Sequence, residues 1–200
     1  SFNGELLVND ETRQWDIRNA TYPGRVGLYA VRDGSPVWGG IVWKRKYDSS
    51  ARKLQVVSET FESYLKKRLQ KVTRKFLDTD QLDIARWLLE TDGVANAILA
   101  EVDGATSPRR RERQFYGFEY KDVFDELAKL GALIYGFDWN VEVFRHPSTG
   151  NIQRTFKFYY PQRGLLQSQS TLYFEFPGSI RTFVVSEDSA AGANVIYAIG

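Results

Sequence analysis

The side chains that most often carry out chemistry are scarce in this sequence. The 200 residues include one histidine, His146, and no cysteine. A zinc site would therefore need several carboxylates around His146, and thiolate chemistry is excluded. His146 lies in the turn-like sequence His-Pro-Ser-Thr-Gly, where a solvated histidine is the expected arrangement. Ser148 is too close to it along the turn to complete a Ser-His-acid triad. No nucleophile-elbow or phosphate-loop motif occurs, so we predict no catalytic residue, metal site or cofactor.

Two groups of neighbouring carboxylates could supply the acid and base of a glycosidase. The first is Asp80 with Asp83, and the second is Asp122 with Asp125 and Glu126. Both groups lie where we predict the first turn of a helix, and acidic residues there cap the helix and complement its dipole. We favour this structural interpretation, and a cell-wall hydrolase remains an alternative.

A run of arginines is the part of the sequence that we expect to contact a partner molecule. Residues 103–114 contain Gly, Ser and Pro followed by four arginines, and they predict a loop. Guanidinium groups suit phosphate or an acidic protein surface. The candidate contact residues are Arg109, Arg110, Arg111 and Arg113. Because the net charge of the whole chain is only +2, we predict no specific nucleic-acid site.

Aromatic residues make up 14% of the chain, and many fall on predicted strands. Exposed rings in a row would suit a host-glycan-binding module, whereas alternating rings suit a core. The residues concerned are Trp139, Phe156, Phe158, Tyr160, Tyr173 and Phe174. Their alternating spacing favours the core, and glycan binding remains an alternative function.

The elements that position these residues begin with an antiparallel meander over residues 22–68. Its three apolar runs are residues 26–31, 37–43 and 53–57. Asp33-Gly34 predicts the first hairpin turn, and the pair Gly39-Gly40 indicates a bulge, bend or close backbone approach. Residues 58–68 have helical spacing and close the unit.

The remainder of the chain predicts helices and then strands. Helices are expected at about 80–91 and 121–130, and a hairpin at 137–144 with 152–160. Further short strands are expected at 171–176, 182–185 and 194–198. This order indicates an α+β protein, and 42% apolar residues can form its core. No apolar run is long enough to span a bilayer. The absence of Met leads us to expect a processed chain or a fragment of a longer protein.

Four segments, in order along nearly the whole chain, resemble minor tail proteins of long-tailed phages of actinobacteria. The first includes Pro-Gly at 23–24, Val-Arg-Asp-Gly at 31–34 and Val-Trp-Gly-Gly-Ile at 37–41. The others are Phe-Glu-Ser-Tyr-Leu at 61–65 with Arg68, Asp-Gln-Leu-Asp-Ile-Ala at 80–85, and residues 173–181 with 193–200. Ser179 stands where the family pattern has Asn. These proteins form the tail-tip or baseplate hub, and they are distantly similar to the hub proteins of contractile tails.

The resemblance implies a small antiparallel β-barrel-like domain, residues 1–71 and 171–200, with an inserted α+β domain, residues 72–170, of about three helices and β-hairpins. It implies a structural, non-enzymatic role at the tail tip of the virion, after synthesis in the cytoplasm of the bacterial host. The expected partners are two further copies of the chain in a homotrimeric ring, the distal tail protein, the tape-measure protein and receptor-binding or spike proteins. No catalytic residue is implied.

Overall fold

The computed structural model describes residues 1–8, 16–91, 98, 100–164 and 182. The chain divides into two compact units, Ser1–Arg163 and Gly164–Gly200, and the fold given below is that of the first. Apart from Thr182, the strands predicted at 171–176, 182–185 and 194–198 lie outside the described residues.

The first unit is an α+β fold in which strands predominate, as the sequence predicts. Its strands are β1 Phe2–Leu7, β2 Gly27–Arg32, β3 Ser35–Asp48, β4 Lys53–Thr60, β5 Arg74–Asp80, β6 Glu101–Val102, β7 Arg110–Phe115, β8 Asp138–Arg145 and β9 Ile152–Tyr159. Within the described residues its α-helices are α1 Ile17–Ala20, α2 Gln81–Glu90 and α3 Val123–Gly131, and 3-10 helices span Phe61–Lys67 and Gly117–Glu119.

A four-stranded antiparallel sheet forms one layer, in the order β1-β4-β3-β2, and curls into a half-barrel. The turn between β2 and β3 has positive φ at both Asp33 (52°) and Gly34 (78°), as a tight two-residue hairpin requires. β3 is longer than predicted, because it continues through Asp48 beside β4. Register shifts at Ala30/Val31 and at Val42/Lys44 add local twist to this sheet.

The Gly39-Gly40 pair lies where the curled sheet meets the second layer. A Cβ on Gly39 would stand 2.8 Å from Cγ2 of Val143 on β8 and 3.0 Å from the Phe61 ring. A Cβ on Gly40 would overlap the carbonyl oxygen of Glu59 on β4. The glycine pair therefore lies at a close backbone approach, which is one of the three arrangements that it indicated.

The second layer contains the β5–β7 ribbon, the three-stranded sheet β6-β9-β8, and the helices α2 and α3. Its buried side chains form one cluster with Ile41 of the curled sheet and Phe61 of the first 3-10 helix, and this cluster also includes Leu88, Leu127 and Phe156. A smaller cluster of Val42, Leu54 and Val56 lies apart from it. Burial of these apolar groups supplies the main stabilisation of the unit.

Several boundaries differ from those that the sequence predicts. The predicted helix at 58–68 is instead the end of β4 followed by the 3-10 helix Phe61–Lys67. Much of the second half of the predicted loop at 103–114 belongs instead to the strand Arg110–Phe115. The N-cap of α2 is Asp80, so Asp80 precedes the first turn of this helix rather than lying in it. The domain boundaries at 71/72 and 170/171 stay predictions.

Candidate functional site

The arginine run lies at the start of β7, which pairs antiparallel with β5. Burial alternates along the strand: Arg111 and Arg113 are half-buried, whereas Arg110 and Glu112 are exposed. The strand forms because the aliphatic stems of alternate arginines pack like apolar residues while their charged ends reach polar partners. Sequence reasoning predicted a loop here because it treated every arginine as a polar residue.

Two of the arginines hold the chain segment that follows α3. Arg109 stacks 4.0 Å from the Tyr135 ring centroid, and its Nε donates to the Tyr160 hydroxyl at 3.0 Å. Arg111 donates from Nη2 to the carbonyl of Ile134 at 2.6 Å. Tyr135 has a positive φ of 57°, an uncommon backbone conformation for a non-glycine residue. These contacts fix a turn that leaves Ile134 exposed.

The other two arginines form ion pairs. Arg113 lies 3.3 Å from a carboxylate oxygen of Glu126, which is buried and also contacts Lys129 at 3.0 Å. Arg110 lies 3.5 Å from the carboxylate of Asp78 on the surface. All four predicted contact residues therefore have partners within the chain. Arg109 and Arg110 are the exposed members, so a contact with another molecule remains a prediction chiefly for these two.

The candidate acid–base carboxylates have the structural roles that the sequence favours. Asp80 is the N-cap of α2 and accepts from the backbone N–H of Leu82 at 2.9 Å and of Ser107 at 2.8 Å. Asp122 is the N-cap of α3 and accepts from the Asp125 N–H at 2.7 Å. Asp83 pairs with Arg86 at 2.5 Å. These groups serve helix ends and internal ion pairs.

A different set of titratable groups, which sequence reasoning missed, lines one face of the β8–β9 hairpin. The Tyr159 hydroxyl donates to Glu142 at 2.5 Å, and Lys157 lies 3.2 Å from the same carboxylate. Burial and the Glu142 carboxylate raise the pKa of Tyr159 to about 12. The hydrogen bond from Tyr159 lowers the pKa of Glu142. The sequence indicates this grouping only through the cross-strand register, because the register places Glu142, Lys157 and Tyr159 on the same face of the hairpin.

Glu142 also lines an open cavity of about 440 Å³ between β3 and β8. Glu62 lies on the same wall, and one of its carboxylate oxygens accepts from the Val141 N–H at 2.6 Å. Glu142 is therefore engaged by two neighbouring donors and is held in its charged form, whereas the second carboxylate oxygen of Glu62 is buried with no hydrogen-bond partner among the described residues. A general acid needs a raised carboxyl pKa, which is the opposite of the shift at Glu142.

His146 is in the turn between β8 and β9, as predicted. Its Nδ1 accepts from the backbone N–H groups of Ser148 and Thr149, each at 3.3 Å, which is the local hydrogen bonding of a turn. Among the residues that the structure describes, no three His, Asp or Glu side chains are grouped so that they could hold a metal ion. None of the helices in the described ranges is both long and apolar enough to cross a membrane.

The alternative of a glycan-binding row of exposed rings is contradicted at two of its central positions. Phe156 and Phe158 are buried, and Trp139 packs against Phe124 at a centroid distance of 5.5 Å. These rings belong to the core, as their alternation favoured, whereas Tyr173 and Phe174 lie outside the described residues. The chain matches no protein-family model, and no curated protein matches it.

Proposed function

We propose that this chain is a structural protein of a long-tailed phage virion, where it forms part of the tail-tip hub ring. The ring closes the tail tube and organises the receptor-binding proteins. The four ordered sequence segments that resemble hub proteins support this proposal, and so does the α+β architecture. The observation that carries it furthest is the curled sheet with its glycine pair.

The curled sheet suits a ring because it is half of a barrel with two edges. β1 and β2 are its outer strands, and an outer strand presents backbone N–H and C=O groups to a neighbour. Val31 on β2 and Val37 on β3 add exposed apolar surface at the β2–β3 end. A neighbouring copy that pairs with this edge would continue the sheet, and repetition of that contact about a rotation axis closes a ring.

The finer organisation belongs to the same proposal. Residues 1–71 and 171–200 form the barrel-like hub domain, and residues 72–170 form the domain inserted into it. The partners are further copies in a homotrimer, the distal tail protein, the tape-measure protein and receptor-binding or spike proteins. The role is non-enzymatic, which agrees with the use of Asp80 and Asp122 as helix caps.

The test is the mass of the chain in solution, measured by light scattering after size exclusion, together with a map of the assembled tail. We expect a trimer that becomes a monomer when Val31→Glu places a charge at the β2 edge. Leu77→Glu is the matched control, because Leu77 is also an exposed apolar residue on a strand. A stable monomer with measurable glycan affinity, and no density for this fold at the tail tip, would overturn the proposal.

A further inference from the structure

Two segments, residues 66–75 and 115–123, lie side by side and antiparallel, and we call them the basic–aromatic ribbon. Arg74 pairs with Phe115 across the β5–β7 ladder. Further along, the Gly117 N–H donates to the Thr73 hydroxyl at 2.9 Å, and the Gln70 N–H donates to the carbonyl of Lys121 at 2.8 Å. The two segments therefore stay side by side along the ribbon, and their alignment shifts by two residues across the 3-10 helix Gly117–Glu119.

The first segment of the ribbon has a high density of positive charge, which the small net charge of the whole chain does not indicate. Its sequence, Lys-Lys-Arg-Leu-Gln-Lys-Val-Thr-Arg-Lys, has six cationic residues and no acidic residue. Residues 71–75 are all exposed. Lys75 pairs with Glu112 at 3.2 Å, but among the described residues no carboxylate pairs with Lys66, Lys67, Lys71 or Arg74. The first segment is therefore a dense cationic strip, whereas the second segment carries the acidic residues Glu119 and Asp122.

The second segment adds aromatic rings that face solvent. Tyr116, Phe118 and Tyr120 are 40%, 72% and 59% exposed, and the first two rings lie 5.4 Å apart. Their backbone is fixed, since a Cβ on Gly117 would overlap the carbonyl oxygen of Lys71, and Tyr120 has a positive φ of 48°. Large rings held in solvent beside a cationic strip indicate an interaction surface rather than incidental exposure.

We propose that the basic–aromatic ribbon binds single-stranded nucleic acid. Cationic side chains along a strip follow the phosphates, and exposed rings stack on unpaired bases without selecting their sequence. The rings favour single-stranded nucleic acid over other polyanions, because an acidic polymer without bases has no ring that could stack on Phe118. They also separate it from duplex DNA, whose bases are already stacked on each other. The function is additional to the structural role proposed above and does not depend on it.

The structure sets the expected size of the electrostatic contribution. Each phosphate neutralised on a single strand contributes about −0.7 to the slope of log K against log salt. Contacts from Lys66, Lys67, Lys71 and Arg74 would give a slope of about −3, by the same rule. Loss of one stacked base is expected to weaken binding about tenfold, which is within the range for base–aromatic stacking.

The experiment measures fluorescence anisotropy of a labelled oligothymidylate of about 12 nucleotides, within the usual site size of such surfaces, with the full chain. Salt is varied from about 50 to 200 mM. An abasic oligomer with the same number of phosphates is the matched ligand. We expect oligothymidylate to bind about tenfold tighter than the abasic oligomer.

Two variants separate the two contributions. Phe118→Ala is expected to weaken oligothymidylate binding about tenfold and leave abasic binding unchanged. Lys71→Gln is expected to weaken both and to reduce the salt slope by about 0.7. Ile134→Ala is the control for an exposed apolar residue outside the ribbon, and it should change neither. Thermal melting checks that each variant is folded.

Four results would overturn the inference. They are no binding at the lowest salt, equal affinity for oligothymidylate and the abasic oligomer, preference for duplex over single strand, and tighter binding to anionic vesicles that Phe118→Ala abolishes. The second result would assign the strip to polyanions in general, and the fourth would assign it to a lipid surface.

Discussion

The close approach at Gly39-Gly40 leads to a stability prediction with an internal control. Replacing Gly40 with Ala places a Cβ against the carbonyl oxygen of Glu59, which belongs to the paired backbone of β4. A backbone atom in a ladder cannot rotate away, so β3 and β4 must separate locally. Replacing Gly39 with Ala places a Cβ against side chains instead, with Val143 at 2.8 Å.

The expected magnitudes follow from this difference. Overpacking a core position costs about 1–3 kcal/mol, and we assign Gly40→Ala about 3 kcal/mol because backbone must move. Gly39→Ala is expected to cost about 1–2 kcal/mol, since side chains can shift. At about 2–4 °C per kcal/mol for a chain of this size, Gly40→Ala should lower the Tm by about 6–12 °C.

The assay is urea unfolding followed by tryptophan fluorescence, with the free energy of unfolding taken from the midpoint and slope. Gly104→Ala is the matched control, since nothing lies within 4 Å of the added Cβ. It should change stability by no more than about 0.5 kcal/mol. In the double variant Gly39→Ala/Val143→Ala, the Cγ2 atom of Val143 is absent and part of the clash should be relieved. The double variant should then lose less stability than the sum of the two single variants, which is a favourable coupling energy.

The reasoning would be refuted if Gly40→Ala were as stable as Gly104→Ala. That result would mean that β3 and β4 are not held at this separation. Equal costs for Gly39→Ala with and without Val143→Ala would mean that β8 does not pack on the glycine pair.

Two further predictions concern hydrogen bonds. Because the pKa of Tyr159 is raised to about 12, its protonated hydroxyl stabilises the fold below pH 10, and this contribution is lost between about pH 10 and about 12. Tyr159→Phe should therefore remove this loss of stability at high pH. It should also remove the tyrosine absorbance change that occurs late in the titration. The same variant should raise the pKa of Glu142 in an NMR titration, and an unchanged pKa would contradict the assigned bond. Asp80→Ala removes a helix cap and leaves the buried donors of Ser107 unpaired, so urea unfolding should show a loss of about 2–4 kcal/mol. Asp122→Ala, which removes a more exposed cap, should cost about 1 kcal/mol, and equal losses would contradict the role of Ser107.

Features specified by adjacent residues could be predicted from the sequence. Asp33-Gly34 specified a turn because both residues tolerate positive φ, and the hairpin formed there. The β8–β9 hairpin was predicted within one residue at either end of its turn, because apolar and polar side chains alternate over much of both strands. The α+β class followed from the order of these elements.

Features set by distant partners could not be predicted. β7 was missed because Arg111 and Arg113 become half-buried only through Gln81 and Glu126, which lie elsewhere in the sequence. The 3-10 helix Phe61–Lys67 was predicted as part of an α-helix, because apolar spacing over so few residues fits both.

In the candidate site, too, the residue types could be predicted from the sequence, whereas contacts with distant partners could not. The residues Arg109, Arg110, Arg111 and Arg113 were identified by type, but their partners were not. The basic–aromatic ribbon was missed because its two halves are separated by about forty residues in the sequence and join only through pairs such as Arg74 with Phe115. A net charge averaged over the chain hid the cationic half.

The strand order β1-β4-β3-β2 has a consequence for how the protein is made. β1 pairs with β4, with Phe2 opposite Ser58, so β1 is synthesised before the other three strands of this sheet but has no partner in it until β4 has followed. β2, β3 and β4, in contrast, pair with their immediate neighbours in the chain and close short loops. During translation β2, β3 and β4 can therefore pair first, and β1 is added to the sheet last. Until β1 pairs with it, the outer edge of β4 remains available to any other extended segment.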